Sequence, residues 1–180
     1  MNQTITLITG NLNKVRELSR LLNIELSNEK INLPEIQTTD VAEVAKVKAE
    51  AAYKIVKKPV LVDDTGLTIR AWGELPGALI RWFIDNVGNA GIVGMLGDND
   101  RAAFAATALG YCDENGSRVF NGMVDGTIPE KPRGENGFGF DAIFIPKGSE
   151  KTFAEMTSDE KDSFSSRAIA AAKMRELLKN

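Results

Sequence analysis

The sequence contains no histidine and a single cysteine, Cys112, among its 180 residues. Without histidine, the chain can form neither a Ser-His-Asp triad nor a zinc site built from imidazoles. One cysteine cannot make an internal disulfide or a two-cysteine metal clip, which favours a reducing, cytoplasmic location. Acid–base chemistry must therefore come from carboxylates, lysines or tyrosines, or from a metal-bound water.

Long hydrophobic runs and an excess of basic residues are also absent. No apolar run approaches the roughly 20 residues that span a bilayer, and residues 1–3 lack the basic start of a signal peptide. The 22 Lys and Arg residues against 25 Asp and Glu residues give a net charge of −3, which argues against binding to a nucleic acid polymer. The hydrophobic content of 43% is that of an ordinary globular protein, and we expect one domain over residues 1–180.

Strand and helix patterns alternate along the chain, which predicts an α/β fold with a mixed sheet flanked by helices. The expected strands cover residues 4–9, 24–27, 60–62, 102–111, 118–127 and 142–145. The expected helices cover residues 12–22, 41–56, 79–86, 90–96 and 163–178. Asn115-Gly116 predicts a hairpin turn, Asp40 a helix N-cap, and Thr157 with Glu160 a capping box.

Two lysines occupy positions that are unfavourable for structure alone. Lys14 falls in the first turn of a predicted helix, where a cation opposes the helix dipole unless an anion occupies the free N–H groups. Lys48 interrupts the apolar stripe of the next helix, seven residues after Val41 and four before Ala52. Each lysine either contacts an anion or extends into solvent, and the sequence leaves both interpretations open.

Asp63 and Asp64 follow the buried strand Val60–Val62. Ligands of α/β folds gather beyond the carboxyl ends of strands, and carboxylates with open water positions suit Mg²⁺. Because successive side chains of a strand point to opposite faces, at most one of the two acids enters a given cleft. The alternative is a turn, since Asp-Asp-Thr-Gly is also favourable turn chemistry.

Aromatic and basic residues near the C-terminal end complete the pattern. Phe138-Gly139-Phe140-Asp141 surrounds a glycine with aromatic rings, which either enclose a flat base or pack in the core. Arg133, Lys161 and Arg167 lie in loops and at helix starts, and the alternative for each is a solvated surface cation. Taken together, these cations, acids and rings suit a metal-bound polyphosphate that carries a base.

The order of these motifs resembles the inosine triphosphate pyrophosphatase family, the Ham1-like enzymes that act on non-standard purine nucleoside triphosphates. The resemblance covers nearly the whole chain. It rests on Thr9-Gly10-Asn11 with Lys14, Leu33-Pro34-Glu35, Val62-Asp63-Asp64-Thr65-Gly66-Leu67, Leu75-Pro76-Gly77, Phe138-Gly139-Phe140-Asp141, and Phe153-Ala154-Glu155-Met156 followed by Lys161 and Ser165-Ser166-Arg167.

The resemblance implies an elongated, two-lobed α/β fold with a central cleft, a homodimer, and Mg²⁺-dependent hydrolysis of a nucleoside triphosphate to monophosphate and pyrophosphate. It implies that the phosphates are held by Thr9, Gly10, Asn11, Lys14 and Lys48. It gives the metal to Glu35 and Asp64. It assigns the base pocket to Phe138, Gly139, Phe140, Asp141, Lys161, Ser166 and Arg167.

The sequence departs from the family pattern at four positions. Ser166 stands where the family usually has histidine, Phe140 where tryptophan or tyrosine is commoner, Ala142 where proline is usual, and Arg81 where a lysine is frequent. The first two departures fall in the implied base pocket. We therefore expect weaker or shifted discrimination between bases, with the phosphate and metal residues intact.

The resulting hypothesis is hydrolysis of ITP, dITP or XTP, a house-cleaning role in nucleotide metabolism. Asp64, or a metal-bound water that it orients, would supply the nucleophile at the α-phosphorus, while Lys14, Lys48 and Arg167 neutralise charge. One alternative is a pyrophosphatase for a modified or standard nucleotide. Another is a nucleotide-sensing module without turnover, against which the intact Asp63-Asp64 pair and Lys14 argue.

Overall fold

The structure, a computed structural model, describes residues 5–178; predictions that involve residues 1–4, including the start of the first strand, lie outside this range. The strands are β1 (Thr6–Ile8), β2 (Ser27–Glu29), β3 (Val60–Ile69), β4 (Pro76–Gly77), β5 (Ala102–Asp113), β6 (Gly116–Thr127) and β7 (Ile145–Pro146). The helices are α1 (Leu12–Leu22), α2 (Val41–Val56), α3 (Ile80–Leu96), α4 (Ser158–Asp162) and α5 (Ser166–Leu178). Short 3₁₀ helices cover Arg70–Trp72, Asp141–Ile143 and Phe153–Glu155.

Within the described range, seven strands form one mixed sheet in the order β2-β1-β3-β5-β6-β7, with β4 paired to β3. Strands β2 and β3 run parallel to β1, whereas the β3–β5, β5–β6 and β6–β7 pairs are antiparallel. The long hairpin closes where Asp113 pairs with Gly116, as the Asn115-Gly116 pair predicts. The α/β class with a mixed sheet is therefore confirmed.

Helices pack on both faces of this sheet. On one face, Leu18 of α1 and Met174 of α5 are fully buried against Leu61 and Leu109 of the sheet. On the other face, α2 packs through Ala49 and its apolar neighbours. No helix between residues 5 and 178 has the length and apolar character needed to cross a membrane.

Two glycines allow helices to approach the central strands closely. A Cβ atom at Gly110 of β5 would lie 2.3 Å from the carbonyl oxygen of Ala45 in α2. A Cβ atom at Gly122 of β6 would lie 1.9 Å from the carbonyl oxygen of Ser166 at the start of α5. Both helices therefore rest directly on the sheet backbone, α2 on β5 and α5 on β6.

Strand β3 is longer than the pattern predicts. The expected end at Val62 is wrong, because the strand continues through the Asp-Asp-Thr-Gly segment to Ile69. Every residue from Val60 to Ile69 pairs with β5 in an unbroken antiparallel register. This long-range pairing overrides the local turn preference, so both acids project from an extended strand.

The C-terminal third shows two further differences. The strand expected at residues 142–145 is mostly the 3₁₀ helix Asp141–Ile143, with only Ile145–Pro146 in the sheet. The helix expected at residues 163–178 begins only at Ser166. Residues 163–165 lie outside it and connect it to the short α4. The predicted capping box at Thr157 and Glu160 is confirmed.

Two further predictions concern elements that precede β5, and they have different outcomes. The short strand expected at residues 24–27 lies instead at Ser27–Glu29, where its register with β1 places it. The helices predicted at 79–86 and 90–96 are confirmed as the two halves of α3, which Gly88 interrupts with a φ of 67°. A positive φ is readily adopted only by glycine, so this residue sets the break.

Candidate active site

The turn that begins α1 is organised by its own side chains. The Oγ1 atom of Thr9 accepts a hydrogen bond of 3.0 Å from the backbone N–H of Asn11, and Asn11 Oδ1 accepts one of 3.0 Å from that of Asn13. Asn11 is thus the N-cap of α1. Gly10 lies between these residues against the side chain of Lys30.

Lys14 reaches from this turn to the neighbouring strand. Its Nζ atom lies 2.6 Å from Asp63 Oδ1 and donates a 2.9 Å hydrogen bond to the Asp63 carbonyl oxygen. The cation in the first turn of α1 therefore does contact an anion, and that anion belongs to the protein. The side chain keeps 20% of its surface exposed, so it is still accessible to a ligand.

Arg167, at the start of α5, holds the same carboxylate from the other side. Its Nε lies 2.6 Å from Asp63 Oδ2, and its Nη1 lies 2.9 Å from Glu17 Oε2 of α1. Lys14, Asp63, Arg167 and Glu17 thus form a buried ion cluster between α1, β3 and α5. Arg167 is 4% exposed, so we describe it as an internal anchor rather than a solvated cation.

The charges of this cluster determine its protonation. Burial alone would raise the pKa of Asp63, but the cations of Arg167 and Lys14 and their hydrogen bonds outweigh it and hold that pKa well below its usual range. Burial would lower the pKa of Arg167, but Asp63 and Glu17 raise it above its ordinary value. Both groups are therefore ionised at neutral pH.

Asp64 points to the opposite face of β3, towards α2. Its Oδ1 atom lies 3.7 Å from Lys48 Nζ, and the same ammonium donates a short hydrogen bond to Glu35 Oε1. Lys48 thus meets two carboxylates, which explains a cation in the middle of an apolar helix stripe. The second oxygen of Asp64, Oδ2, is buried and has no hydrogen-bond partner.

This environment disfavours the charged form of Asp64. Burial raises its pKa, Lys48 and Lys14 lower it in part, and the net result is a pKa of about 6 instead of 3.8. A buried carboxylate with an unpartnered oxygen is unfavourable without a further cation. Asp64 is therefore the member of the acidic pair with capacity for a ligand, whereas Asp63 is saturated.

Asp64 and Glu35 fit a magnesium ion. Mg²⁺ prefers oxygen ligands and is usually held by one or two carboxylates together with substrate phosphates. The unpartnered Asp64 Oδ2 and the 63% exposed carboxylate of Glu35 supply such oxygens beside one lysine. Among residues 5–178 no larger group of acidic or cysteine side chains gathers that could enclose a metal by itself.

A pocket of about 240 Å³ opens on the α1 side of the buried ion cluster. Phe138 and Lys161 line it, and Lys161 Nζ lies 5.1 Å from the Phe138 ring centroid. Asp141 fixes both residues, because its Oδ2 accepts hydrogen bonds of 2.8 Å from Lys161 Nζ and from the Phe138 backbone N–H. An aromatic face, an ammonium group and a rigid loop thus meet in one concave site.

Several predicted base-pocket residues lie outside this lining. Phe140 is 8% exposed and packs edge-on against Phe144 in the core, which is the structural alternative for this segment. Gly139 contributes its carbonyl to Asn89. Ser166 is buried with its Oγ atom 2.8 Å from Thr107 Oγ1, so the structure does not bring it to the pocket. Arg133, which the sequence places in a loop as a binding group or a solvated cation, contacts the carbonyl oxygen of Glu150 and the carboxylate of Glu155.

Sequence reasoning missed Glu17. Its carboxylate lines the pocket, bonds Arg167, and leaves Oε1 without a hydrogen-bond partner, 3.9 Å from Lys161 Nζ. The sequence signal for Glu17 is its position on the buried face of α1, one turn after Lys14. The remaining lining residues are Asn13, Arg16, Arg20, Asn136, Gly137, Phe153, Met156, Thr157 and Ser158.

Comparisons with known proteins identify the family of the chain. The model of the Ham1 family matches residues 5–177. Inosine triphosphate pyrophosphatase 2 of Trypanosoma cruzi is 43% identical, with 94% of this chain and 89% of the relative covered. The dITP/XTP pyrophosphatase of Saccharolobus solfataricus is 41% identical, covering 98% and 94%. The solved Ham1 protein of Staphylococcus aureus superposes with a TM-score of 0.82 at 25% identity, covering 98% of each chain.

Proposed function

The chain belongs to the Ham1 family, and on that premise we propose that it hydrolyses non-standard purine nucleoside triphosphates to the monophosphate and pyrophosphate in the cytoplasmic nucleotide pool. The observation that carries the proposal is Asp64, a buried carboxylate with one unpartnered oxygen beside Lys48. The pocket lined by Phe138 and Lys161 lies on the other side of the buried ion cluster. A triphosphate linked to a purine would occupy both.

In this proposal the phosphates bind at the start of α1 and along α2. The N–H groups at an α-helix N-terminus favour an anion, and Thr9, Gly10 and Asn11 shape that turn. Lys14 and Lys48 flank the acidic pair from opposite faces of β3 and neutralise the charge that develops when pyrophosphate leaves. Asp64 accepts a hydrogen bond from the attacking water and orients it, since its Oδ2 atom has no hydrogen-bond partner in the protein.

Glu35 and Asp64 are the residues that would hold Mg²⁺ in this proposal. Magnesium, when bound, supplies charge neutralisation at the phosphate oxygens. Lys48 positions both carboxylates before substrate arrives, because its ammonium contacts each of them. Glu35 is the more exposed of the two and can adjust its side chain, whereas Asp64 is fixed by the strand.

The pocket matches the polar edge of a 6-oxopurine. Such a base presents the acceptor O6 beside the donor N1–H, whereas adenine presents a donor beside an acceptor. Lys161 supplies donors, and the unpartnered Glu17 Oε1 supplies an acceptor 3.9 Å away. Adenine in the same orientation would place its N6 donor against Lys161 and its N1 acceptor against Glu17, and such mismatches discriminate strongly in buried sites. The Phe138 ring offers a surface on which the base stacks.

One assay tests the reaction. The protein is incubated with Mg²⁺ and ITP, dITP, XTP or each standard triphosphate, and pyrophosphate and orthophosphate are measured separately. We expect pyrophosphate from the 6-oxo substrates, little turnover of ATP, and none in the presence of EDTA. Orthophosphate as the only product would exclude this function, and binding of ITP without turnover would favour a nucleotide sensor.

A companion variant locates the metal. Glu35→Gln removes one proposed magnesium ligand from an exposed position, so we expect the Mg²⁺ concentration for half-maximal activity to rise while the fold is unchanged. Glu43→Gln, an acid exposed on α2, is the matched control and should leave the requirement unaltered. Equal magnesium requirements for all three proteins would remove Glu35 from the metal site.

We also propose that the enzyme is a homodimer. Leu75, Trp82 and Val87, on and just before α3, are between 42% and 65% exposed, and exposed apolar groups of this size mark interaction surfaces. Light scattering coupled to gel filtration should give twice the monomer mass, and Trp82→Glu should shift it towards the monomer. A monomeric wild-type protein at micromolar concentration would refute this part of the proposal.

A further inference from the structure

Three hydroxyl groups form a continuous chain between the sheet and α5. Ser166 Oγ lies 2.8 Å from Thr107 Oγ1 of β5, and Thr107 Oγ1 lies 3.2 Å from Thr65 Oγ1 of β3. Thr65 Oγ1 lies in turn 3.3 Å from Asp63 Oδ1 and accepts a 3.1 Å hydrogen bond from Arg167 Nη2. Thr107 and Ser166 are 1% and 4% exposed, so bulk solvent does not reach these contacts.

The number of available protons fixes which hydroxyl group donates and which accepts in each of these hydrogen bonds. A hydroxyl donates one hydrogen bond, while an ionised carboxylate only accepts. The Thr65 proton therefore goes to Asp63 Oδ1, the Thr107 proton to Thr65, and the Ser166 proton to Thr107. Thr65 then donates once and accepts from both Arg167 and Thr107, which uses its full capacity.

The end of the chain is the carboxylate that organises the buried ion cluster. Asp63 binds Lys14, which we have placed at the phosphates, and Arg167, whose guanidinium carbon lies 5.5 Å from the Phe138 ring centroid. The rotamer of this one side chain therefore sets the position of a phosphate-side cation and of a cation next to the base pocket. Hydrogen bonds that polarise one another along a chain strengthen such a fixed arrangement.

We propose that Thr107 and Ser166 are positioning residues whose hydroxyl groups, through Thr65, lock Asp63 and thereby align Lys14 and Arg167 for substrate. The consequence for substrate rests on the proposed function, whereas the alignment of Arg167 does not. Ser166 thus acts through the ion cluster from the sheet side of α5, and a serine at this position serves the site without touching the base.

The decisive variant is Thr107→Val, which keeps the volume of the side chain and removes the hydroxyl. We expect kcat/KM for ITP to fall about tenfold, as is typical when a buried hydrogen bond is lost, with part of the loss in KM. Thr107→Ser should restore most of the activity because it keeps the hydroxyl. Thr68→Val is the matched control, since Thr68 is buried on β3 on the face opposite Thr65 and should be nearly neutral.

A second readout does not depend on turnover. In ¹⁵N-labelled protein, the Arg167 Nε–H signal is assigned by its loss in Arg167→Lys, and its exchange with water is measured. The wild-type proton should exchange slowly because it is buried on Asp63, and Thr107→Val should accelerate exchange at least about fivefold while Thr107→Ser and Thr68→Val do not.

These outcomes separate the two proposals. A wild-type protein that releases no pyrophosphate would overturn the proposed function and leave the exchange measurement to decide on the hydroxyl chain. Unchanged Arg167 exchange in Thr107→Val would overturn the positioning role even if ITP is hydrolysed. If Thr107→Val does not fold, Ser166→Ala removes only the last donor, and we expect a smaller acceleration of about twofold; no acceleration would refute the proposal.

Discussion

Asp63 and Asp64 are neighbours on one strand, yet their environments differ in every respect that matters for function. Asp63 is held by Lys14 and Arg167, and its pKa lies far below the usual range. Asp64 has one distant lysine contact, an unpartnered oxygen and a pKa of about 6. The alternation of a β-strand thus separates a saturated structural anion from an under-coordinated one that is ready for a ligand.

The comparison also shows that the two faces of β3 can contribute residues to two parts of the proposed site. The face with Asp63 looks towards α1 and α5, whereas the face with Asp64 looks towards α2. Lys14 still lowers the pKa of Asp64, so the two faces interact through their charges. A divalent cation at the face with Asp64 would relieve the unfavourable state of that carboxylate and leave Asp63 unaltered, whereas the negative charge of a substrate alone would make that state less favourable.

The largest effect should follow from removing the charge of Asp64. Asp64→Asn is expected to lower kcat/KM for ITP at least about a thousandfold, because the proposed magnesium ligand and the proposed contact to the attacking water are lost together. Steady-state kinetics at saturating Mg²⁺ measure the change, with the melting temperature in EDTA as the control for folding. A variant that keeps more than a tenth of the rate would show that the metal assignment is wrong.

The neighbouring substitution should act on stability instead. Asp63→Asn leaves the buried Arg167 with Glu17 as its remaining ion-pair partner among residues 5–178, and loss of one member of a buried ion pair typically costs about 3–5 kcal/mol. Urea unfolding followed by tryptophan fluorescence gives the free energy of unfolding. A loss below about 1 kcal/mol would mean that the two carboxylates are equivalent, contrary to the geometry.

Part of this contrast could be predicted from the sequence. Lys48 interrupts an apolar stripe, so a buried anionic partner was one of its two possible explanations, and it meets Asp64 and Glu35. Lys14 sits where an anion was expected, and Asp63 fills that role. In both cases the periodicity of a helix or strand fixes the direction of a side chain, and direction is what local sequence encodes.

The roles of Ser166, Phe140 and Glu17 could not be predicted in the same way. Ser166 bonds a threonine 59 residues away, and Arg167 meets Asp63 across 104 residues. Such contacts depend on how closely α5 approaches the sheet. Gly122 sets this distance, and no local sequence pattern reveals it. Similarity to a family assigns Ser166 and Phe140 to the site but does not say which of them points inward, and it does not point to Glu17.

The pH dependence of stability should distinguish the two acids by sign. The folded-state pKa of Asp64 is raised from 3.8 to about 6, so the native protein binds more protons than the unfolded chain between these values. Stability from this group therefore falls as pH rises through that window, by up to about 3 kcal/mol. For Asp63, whose pKa is lowered, the contribution is present above pH 3.8 and is lost as pH falls.

Metal-free Asp64→Asn isolates this effect. At pH 4 it should match the wild type in free energy of unfolding, because Asp64 is then neutral in the native state, and at pH 7 it should be the more stable protein. Urea titrations in EDTA at both pH values measure the difference. A variant that is less stable than the wild type at pH 7 would mean that Lys48 fully compensates the buried charge.

The smallest effect should come from an ion pair that shares the chemistry of Asp63 and Arg167 but not their burial. Arg70 Nη2 lies 3.0 Å from Asp125 Oδ1, yet both side chains are 54% exposed. Exposed pairs contribute about 0–1 kcal/mol, because water solvates each ion separately and ordering the side chains offsets the attraction. Asp125→Asn should therefore change the free energy of unfolding by less than about 0.5 kcal/mol and leave kcat/KM unaltered. A loss comparable to that of Asp63→Asn would show that the arginine–carboxylate contact itself, rather than its burial, stabilises the cluster.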